Sequence, residues 1–227
     1  MSALKDTRPI SWIKAARRDF ETFPRDAQIE MGRALTIIAE GGTPDVAKPL
    51  TGLGSGVMEI ALRHRGDAFR VVYALRVGAD VWVVHAFQKK SKNRNQDSQS
   101  GDRSGSRTTQ AAQRGSAMTS GSIETIRGTG NVFRDLNIPN PDLEQLRSIL
   151  AARIIRVLDE KGLSVRKAHE ITGIAAADFS RIRQANLGRF TIDRLMAILH
   201  RLGQKVEVSV TVHARAARKA ALSAAHV

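Results

Sequence analysis

Apolar residues recur in two rhythms along this chain, and each rhythm predicts a different kind of element. Residues 9–13 (PISWI) form a short β-prone run that predicts a strand. Over 14–23 and 25–40 the spacing turns helical, with Ala27, Met31, Leu35, Ile38 and Ala39 on one face of the second helix. Pro24 separates the two helices, and Gly41-Gly42 ends the second. Three β-rich runs follow at 57–62, 69–75 and 80–87. Arg65-Gly66-Asp67 and Gly78-Ala79-Asp80 supply turns between them, so the runs read as two consecutive hairpins. The predicted order is β-α-α-β-β-β. It describes an α+β unit, an antiparallel sheet with the two N-terminal helices packed on one face.

The rhythm then stops. Residues 93–117 contain no Leu, Ile, Val, Phe, Tyr, Trp or Met, so they cannot bury apolar surface and predict a disordered linker. Beyond it the pattern is helical. Residues 131–136 precede a long helix opened by Pro141 and Asp142, with Leu146, Leu150, Ile154, Ile155 and Leu158 inward and Gly162 at its end. Ser164 is placed to cap the next helix, in which Val165, Ala168 and Ile171 face in. Gly173 makes a tight turn and Ile174 plugs the junction. A second helix over 175–184 then turns Phe179 and Ile182 inward. This is a helix-turn-helix pattern in an all-α unit. A helix over 192–202 stops at Gly203, and 206–210 (VEVSV) reads as a short terminal strand suited to pair with its copy in a homodimer. The expected domains are 1–92 and 118–212, with a linker at 93–117 and a basic, Ala-rich tail at 213–227.

Charge narrows the partners. The formal net charge is +14, and Lys and Arg exceed Asp and Glu on both sides of the linker. An anionic partner is favoured, nucleic acid first. The absence of cysteine excludes disulfides and thiol catalysis. Six scattered histidines with no H-x-x-x-H pair predict no metal site, and no cofactor is expected. No apolar run approaches the ~20 residues of a membrane span. The first residues lack the apolar core of a signal peptide, which predicts a cytoplasmic protein.

In the N-terminal unit there is no paired carboxylate, no Ser-His-Asp arrangement and no glycine-rich phosphate loop. What remains is Arg63, Arg65 and Arg70 around the first hairpin, Tyr73 between, and His85 and Lys89 at or after the end of the last strand. Such a set suits metal-free cleavage of RNA by its own 2′-hydroxyl. Arg and Lys stabilise charge growing on the phosphate, while Lys, His or Tyr exchanges protons. The same residues equally fit solvated charges flanking β-turns. His85, in an apolar strand, equally fits a satisfied core histidine.

The run from Lys48 to Lys92, and within it KPLTGLGSGVMEI, HRGDAFRVVY and HAFQKKSK, resembles the phage-derived HigB branch of the RelE toxin superfamily, over about residues 8–92. The resemblance implies a compact toxin fold and mRNA interferase activity, acting on mRNA free or on the ribosome. It implies RNA-phosphate contacts at Arg63, Arg65, Arg70 and Lys89, with proton transfer at His85 or Tyr73. The family's final stretch is expected to continue where residue 93 begins, so the resemblance implies that this chain lacks the toxin's native C-terminal helix. If one nucleotide is dropped at Asn93, the same stretch can encode a basic helical peptide. Its stop codon lies within Met118-Thr119, because ATG-ACN contains TGA. Residues 93–117 are therefore either a frameshifted toxin terminus or the linker of a true fusion.

Residues from about 132 to 212, through VFRDLNIPN, GLSVRKAHEITGI and GRFTIDRLMAILHRLGQKVEVSV, resemble XRE-type antitoxins of the HigA branch. That likeness implies a transcriptional repressor whose second motif helix enters the major groove of operator DNA. By position, Ala176, Ala177, Asp178, Ser180 and Arg181 would face DNA, with Arg166, Arg183 and Arg189 on phosphate or base. Two departures stand out: Arg166 replaces the usual Gln, and Ala175-Ala176-Ala177 replaces more polar base-reading residues. The expected protein is a fused type II toxin–antitoxin pair. The alternative is a DNA-binding regulator whose toxin-like half is inactive.

Overall fold

The computed structural model describes residues 7–50, 52, 56–75, 77–89 and 123–209. The linker expected at 93–117 and the tail at 213–227 lie outside the described residues. The first region runs β1 (Ile10–Ile13), α1 (Lys14–Glu21), α2 (Arg25–Ala39), β2 (Ala47–Pro49), β3 (Val57–His64), β4 (Asp67–Ala74) and β5 (Val81–Lys89). The second runs β6 (Thr125–Ile126), α3 (Val132–Asp135), α4 (Pro141–Glu160), α5 (Val165–Thr172), α6 (Ala176–Arg183) and α7 (Ile192–Arg201). Arg65 and Gly66 take φ of 51° and 91°, the left-handed pair that a two-residue hairpin between β3 and β4 requires.

The strands form one sheet in the order β2-β3-β4-β5-β1-β6. It is mixed, which corrects the purely antiparallel expectation. β1 runs parallel to β5, with Ile10 opposite Val81 and Trp12 opposite Val83. The two helices and two hairpins between them provide the crossover that parallel neighbours need. The far edge of β1 is closed by β6, which arrives from beyond residue 122 and pairs antiparallel, Trp12 opposite Ile126. Gly128 lets that segment lie flat on β1, since a Cβ there would fall 2.2 Å from the Ile10 carbonyl oxygen. Its amide donates to Ser11 Oγ at 3.2 Å, and Ser11 in turn donates to Asp80 at 2.6 Å.

One sheet face is apolar and covered. Ile60, Phe69, Val71, Tyr73, Val83 and Ala86 are buried there with α1 and α2 in a common core. Trp12, Phe20, Phe23 and Phe69 follow one another through it, each ring centroid within 5.2 Å of the next. α2 is buried on two sides, because α4 packs against it from the side away from the sheet. The long C-terminal helix therefore covers α2 rather than a bare side of the sheet.

Two inward assignments on the C-terminal helices need correction. Leu146 is 42% exposed and Ile171 56% exposed. The first turns of α4 instead turn Glu144 and Ser148 inward, and the apolar stripe begins only at Leu150. Residues 206–209 form no strand, and Val208 is exposed. A strand needs a partner, and among the described residues none pairs with this segment, whose expected partner is its copy in a second subunit. Among the described residues no helix is long and apolar enough to cross a membrane, and no His/Cys/Asp/Glu group is placed to hold a metal.

Candidate functional site

Side chains alternate across a strand, so the cross-strand register decides which candidates meet. On the sheet face away from α1 and α2 three rows form: Glu59, Val72 and His85; Ala61, Arg70 and Phe87; Arg63, Ala68 and Lys89. Arg63, Arg70, His85 and Lys89 thus share one face, with Arg70 at the centre. Arg63, His85 and Lys89 are exposed, while Arg70 and Phe87 are half-buried. Ala61, opposite Arg70 on β3, and Ala68, two residues before it on β4, contribute only methyl groups beside it. The rings of His85 and Phe87 meet edge to face at 5.1 Å. His85 is therefore a surface histidine, not a core one.

Two candidates fall elsewhere. Tyr73 has the parity of Phe69 and Val71 and is buried on the helix-covered face, where burial pushes its hydroxyl well above the usual phenol range. It cannot reach a substrate on the open face. Arg65 sits at the hairpin tip, 3.5 Å from Asp26 at the start of α2. Glu59 was missed. It pairs with Arg70 across the strands and is the carboxylate of this face. Its strand parity with Ala61 and Arg63 was the available signal.

The second site is the helix-turn-helix. Ser164 caps α5 by accepting from the Lys167 amide at 3.2 Å, and Gly173 takes φ 70° to turn the chain toward α6. Fully buried Ala168, Phe179 and Ile182 lock the two helices together. Ala177, Arg166 and Arg189 are exposed, and Ala176, Ser180 and Arg181 half-buried. Two expected DNA contacts have partners within the chain. Asp178 is 5% exposed and accepts from Arg181 at 3.0 Å and from Arg194 at 2.5 Å. Arg183 is consumed by Asp159 at 2.6 Å and Asp45 at 3.9 Å, which draws it toward the N-terminal region.

Comparison with known families assigns both regions. Residues 18–100 match the family described as phage derived protein Gp49-like (DUF891), and residues 132–211 match a helix-turn-helix domain. The chain carries a Gp49-like domain in its N-terminal part and a helix-turn-helix domain in its C-terminal part. No curated protein and no solved structure matches it.

The Gp49-like domain and the helix-turn-helix domain share one continuous core. Phe133, fully buried, packs against Gly32, where a Cβ would lie 2.9 Å from the ring. A Cβ on Gly42 would lie 3.5 Å from the Ala152 backbone. Around these contacts Arg33 binds Glu144 at 2.8 Å, Arg147 also binds Glu144, and Glu40 lies 3.5 Å from Arg153. Burial alone would push the Glu144 carboxyl up, but hydrogen bonds and charge from Arg33 and Arg147 outweigh it and hold it below the usual range. Arg25 donates to the Leu136 carbonyl at 3.0 Å, and the Asp45 amide donates to the Arg183 carbonyl at 2.7 Å. The helix-turn-helix domain is thus seated on the helical back of the Gp49-like domain.

Proposed function

We propose that this chain is a fused type II toxin–antitoxin protein. In this reading a RelE-like, HigB-type toxin domain cleaves mRNA without a metal, free or on the ribosome. A HigA-like XRE domain binds operator DNA as a homodimer and represses transcription in the cytoplasm. The observation that carries the enzyme half is the placement of Arg63, Arg70, His85 and Lys89 on one sheet face, which no described helix covers. Four groups from three strands share that face, where a phosphodiester could lie across them.

The chemistry follows from that face. The RNA 2′-oxygen forms a bond to the adjacent phosphorus and the P–O5′ bond breaks, leaving a 2′,3′-cyclic phosphate and a 5′-hydroxyl. Negative charge grows on the phosphoryl oxygens, where Arg70, Arg63 and Lys89 offset it. Glu59 on β3 and His85 on β5 lie on the strands either side of that of Arg70, about 10 Å apart at two strand spacings. They are the groups able to take the 2′-hydroxyl proton and return one to the leaving oxygen. Phe87 offers a ring on which a base stacks.

A second reading has its own support. Glu59 already neutralises Arg70, and Tyr73 is buried, as befits a toxin-like domain retained only as scaffold for a DNA-binding regulator. Incubating the full chain with RNA, with and without ribosomes, separates the two. Products with 5′-hydroxyl ends that vanish in Arg70→Ala support the enzyme. Intact RNA in both conditions leaves the regulator.

A further inference from the structure

The N-terminal turn of α6 reads Ala175-Ala176-Ala177, so it offers no side-chain hydrogen bond to a base edge. Asp178, next in line, is buried and spent on two arginines. The polar groups left on this part of the helix are Ser180 and Arg181. Arg181 is 36% exposed and gives Nη1 to Asp178 Oδ1. Arg194, near the start of α7 and 55% exposed, gives Nη2 to Oδ2. Its guanidinium also lies over the Phe190 ring, 5.8 Å from the centroid. Each oxygen of one buried carboxylate thus fixes one guanidinium, and both keep donors to spare.

From this arrangement we propose that the domain reads a guanine with Arg181 and a thymine methyl with Ala177, about two base steps apart, while Arg194 grips the adjoining phosphate. Asp178 is the positioning residue that aims both arginines. The proposal rests on the DNA-binding reading of the helix-turn-helix domain and supplies its sequence preference. Guanine presents two major-groove acceptors that suit an arginine fork, and thymine presents a methyl group that suits alanine. Ala177 and Arg181 are four residues apart, a rise of about 6 Å along the helix. At about 3.4 Å per base pair this is close to two steps. Arg194 was absent from the sequence-derived contacts because its partner, Asp178, comes from a different helix.

The test is selection of the full chain on a randomised duplex library at fixed salt, followed by binding to modified duplexes. The expected site holds a G and a T two steps apart. Deoxyuridine for that T, which removes only the methyl, and 7-deazaguanine for that G, which removes only N7, should each weaken binding. Arg181→Ala should erase the guanine preference, a loss of about 5- to 150-fold in discrimination. Asp178→Asn should erase it too while thermal melting stays sharp. A merely structural Asp178 would instead lower affinity for all sequences alike. Arg194→Gln should weaken every sequence equally and reduce the salt dependence by about one phosphate contact. A selected site without the G, or a guanine preference that survives Arg181→Ala, overturns the proposal and leaves DNA binding standing. Failure to retain any duplex at low salt overturns both.

Discussion

Arg70 shows how much one side chain's neighbours decide. It lies between Ala61 and Phe87 along its row and beside Glu59, which offsets its charge, and in the proposed reaction an RNA phosphate displaces that carboxylate. Removing Arg70 or Lys89 should lower RNA cleavage about 100-fold or more, the loss seen when one preorganised donor to a transition-state oxyanion is deleted. Melting should be little changed for Lys89→Ala, which is exposed. Tyr73→Phe should leave cleavage untouched, because the hydroxyl lies on the covered face. A rate assay on purified variants checks all three, and a large loss in Tyr73→Phe would place the reacting centre elsewhere. Parity along β4 could have made this distinction from the sequence, since Phe69, Val71 and Tyr73 alternate with Arg70 and Val72. What no single strand reveals is which face the helices cover.

At the scale of elements, α2 and α4 meet through a seam that is polar at its start and apolar further on. The predicted helices, turns and helix-turn-helix boundaries hold to within about two residues of the observed ones, because Pro24, Gly162, Ser164, Gly173 and Gly203 mark them chemically. The inward face of α4 was harder to see. Glu144 and Ser148 occupy the positions where a hydrophobic stripe would announce itself, so Leu146 was read as the inward residue in their place. The Glu144 carboxyl is held below its usual range, so its unfolded-state value is the higher one. The stability it contributes is therefore complete above the ordinary glutamate range, about pH 4.3, and is lost as pH falls through the lower folded value. Thermal melting as a function of pH should show this acid-side loss, and Glu144→Gln should flatten it. Because Glu144→Ala would strand two arginines in a largely buried site, it should cost about 3 kcal/mol. An unchanged acid limb in Glu144→Gln would assign the loss to other carboxylates.

For the whole molecule, the two domains share one core. Their junction combines the Phe133–Gly32 contact, the Glu144 ion cluster and a strand exchanged across the boundary. If a protease site is placed within 93–117 and cut, the two pieces should co-elute on gel filtration and melt together. Separate elution would show that the covalent connection, not the interface, holds them. Gly32→Leu should loosen the complex without touching the open face, since Phe133 must move to admit a side chain. The parallel pairing of β1 and the arrival of β6 were not legible in the sequence. Both depend on which distant segments become neighbours, and a two-residue strand carries no periodicity of its own.

That two-residue strand sets a timetable. β1 leaves the ribosome before every other described element, yet among the described residues its outer edge is closed by Thr125–Ile126, with 113 residues from Ile13 to Ile126. Even after Lys89 completes β5, another 37 residues separate it from Ile126. At about 5–20 residues per second, the half-made protein waits roughly 2–7 seconds with a bare strand edge and the outer side of α2 still wet. Unpaired edges are where nascent chains stick to one another. When the domains are encoded as one chain, the segment that caps the edge is always the next to emerge, so each copy is finished by its own second half before a neighbour can supply one.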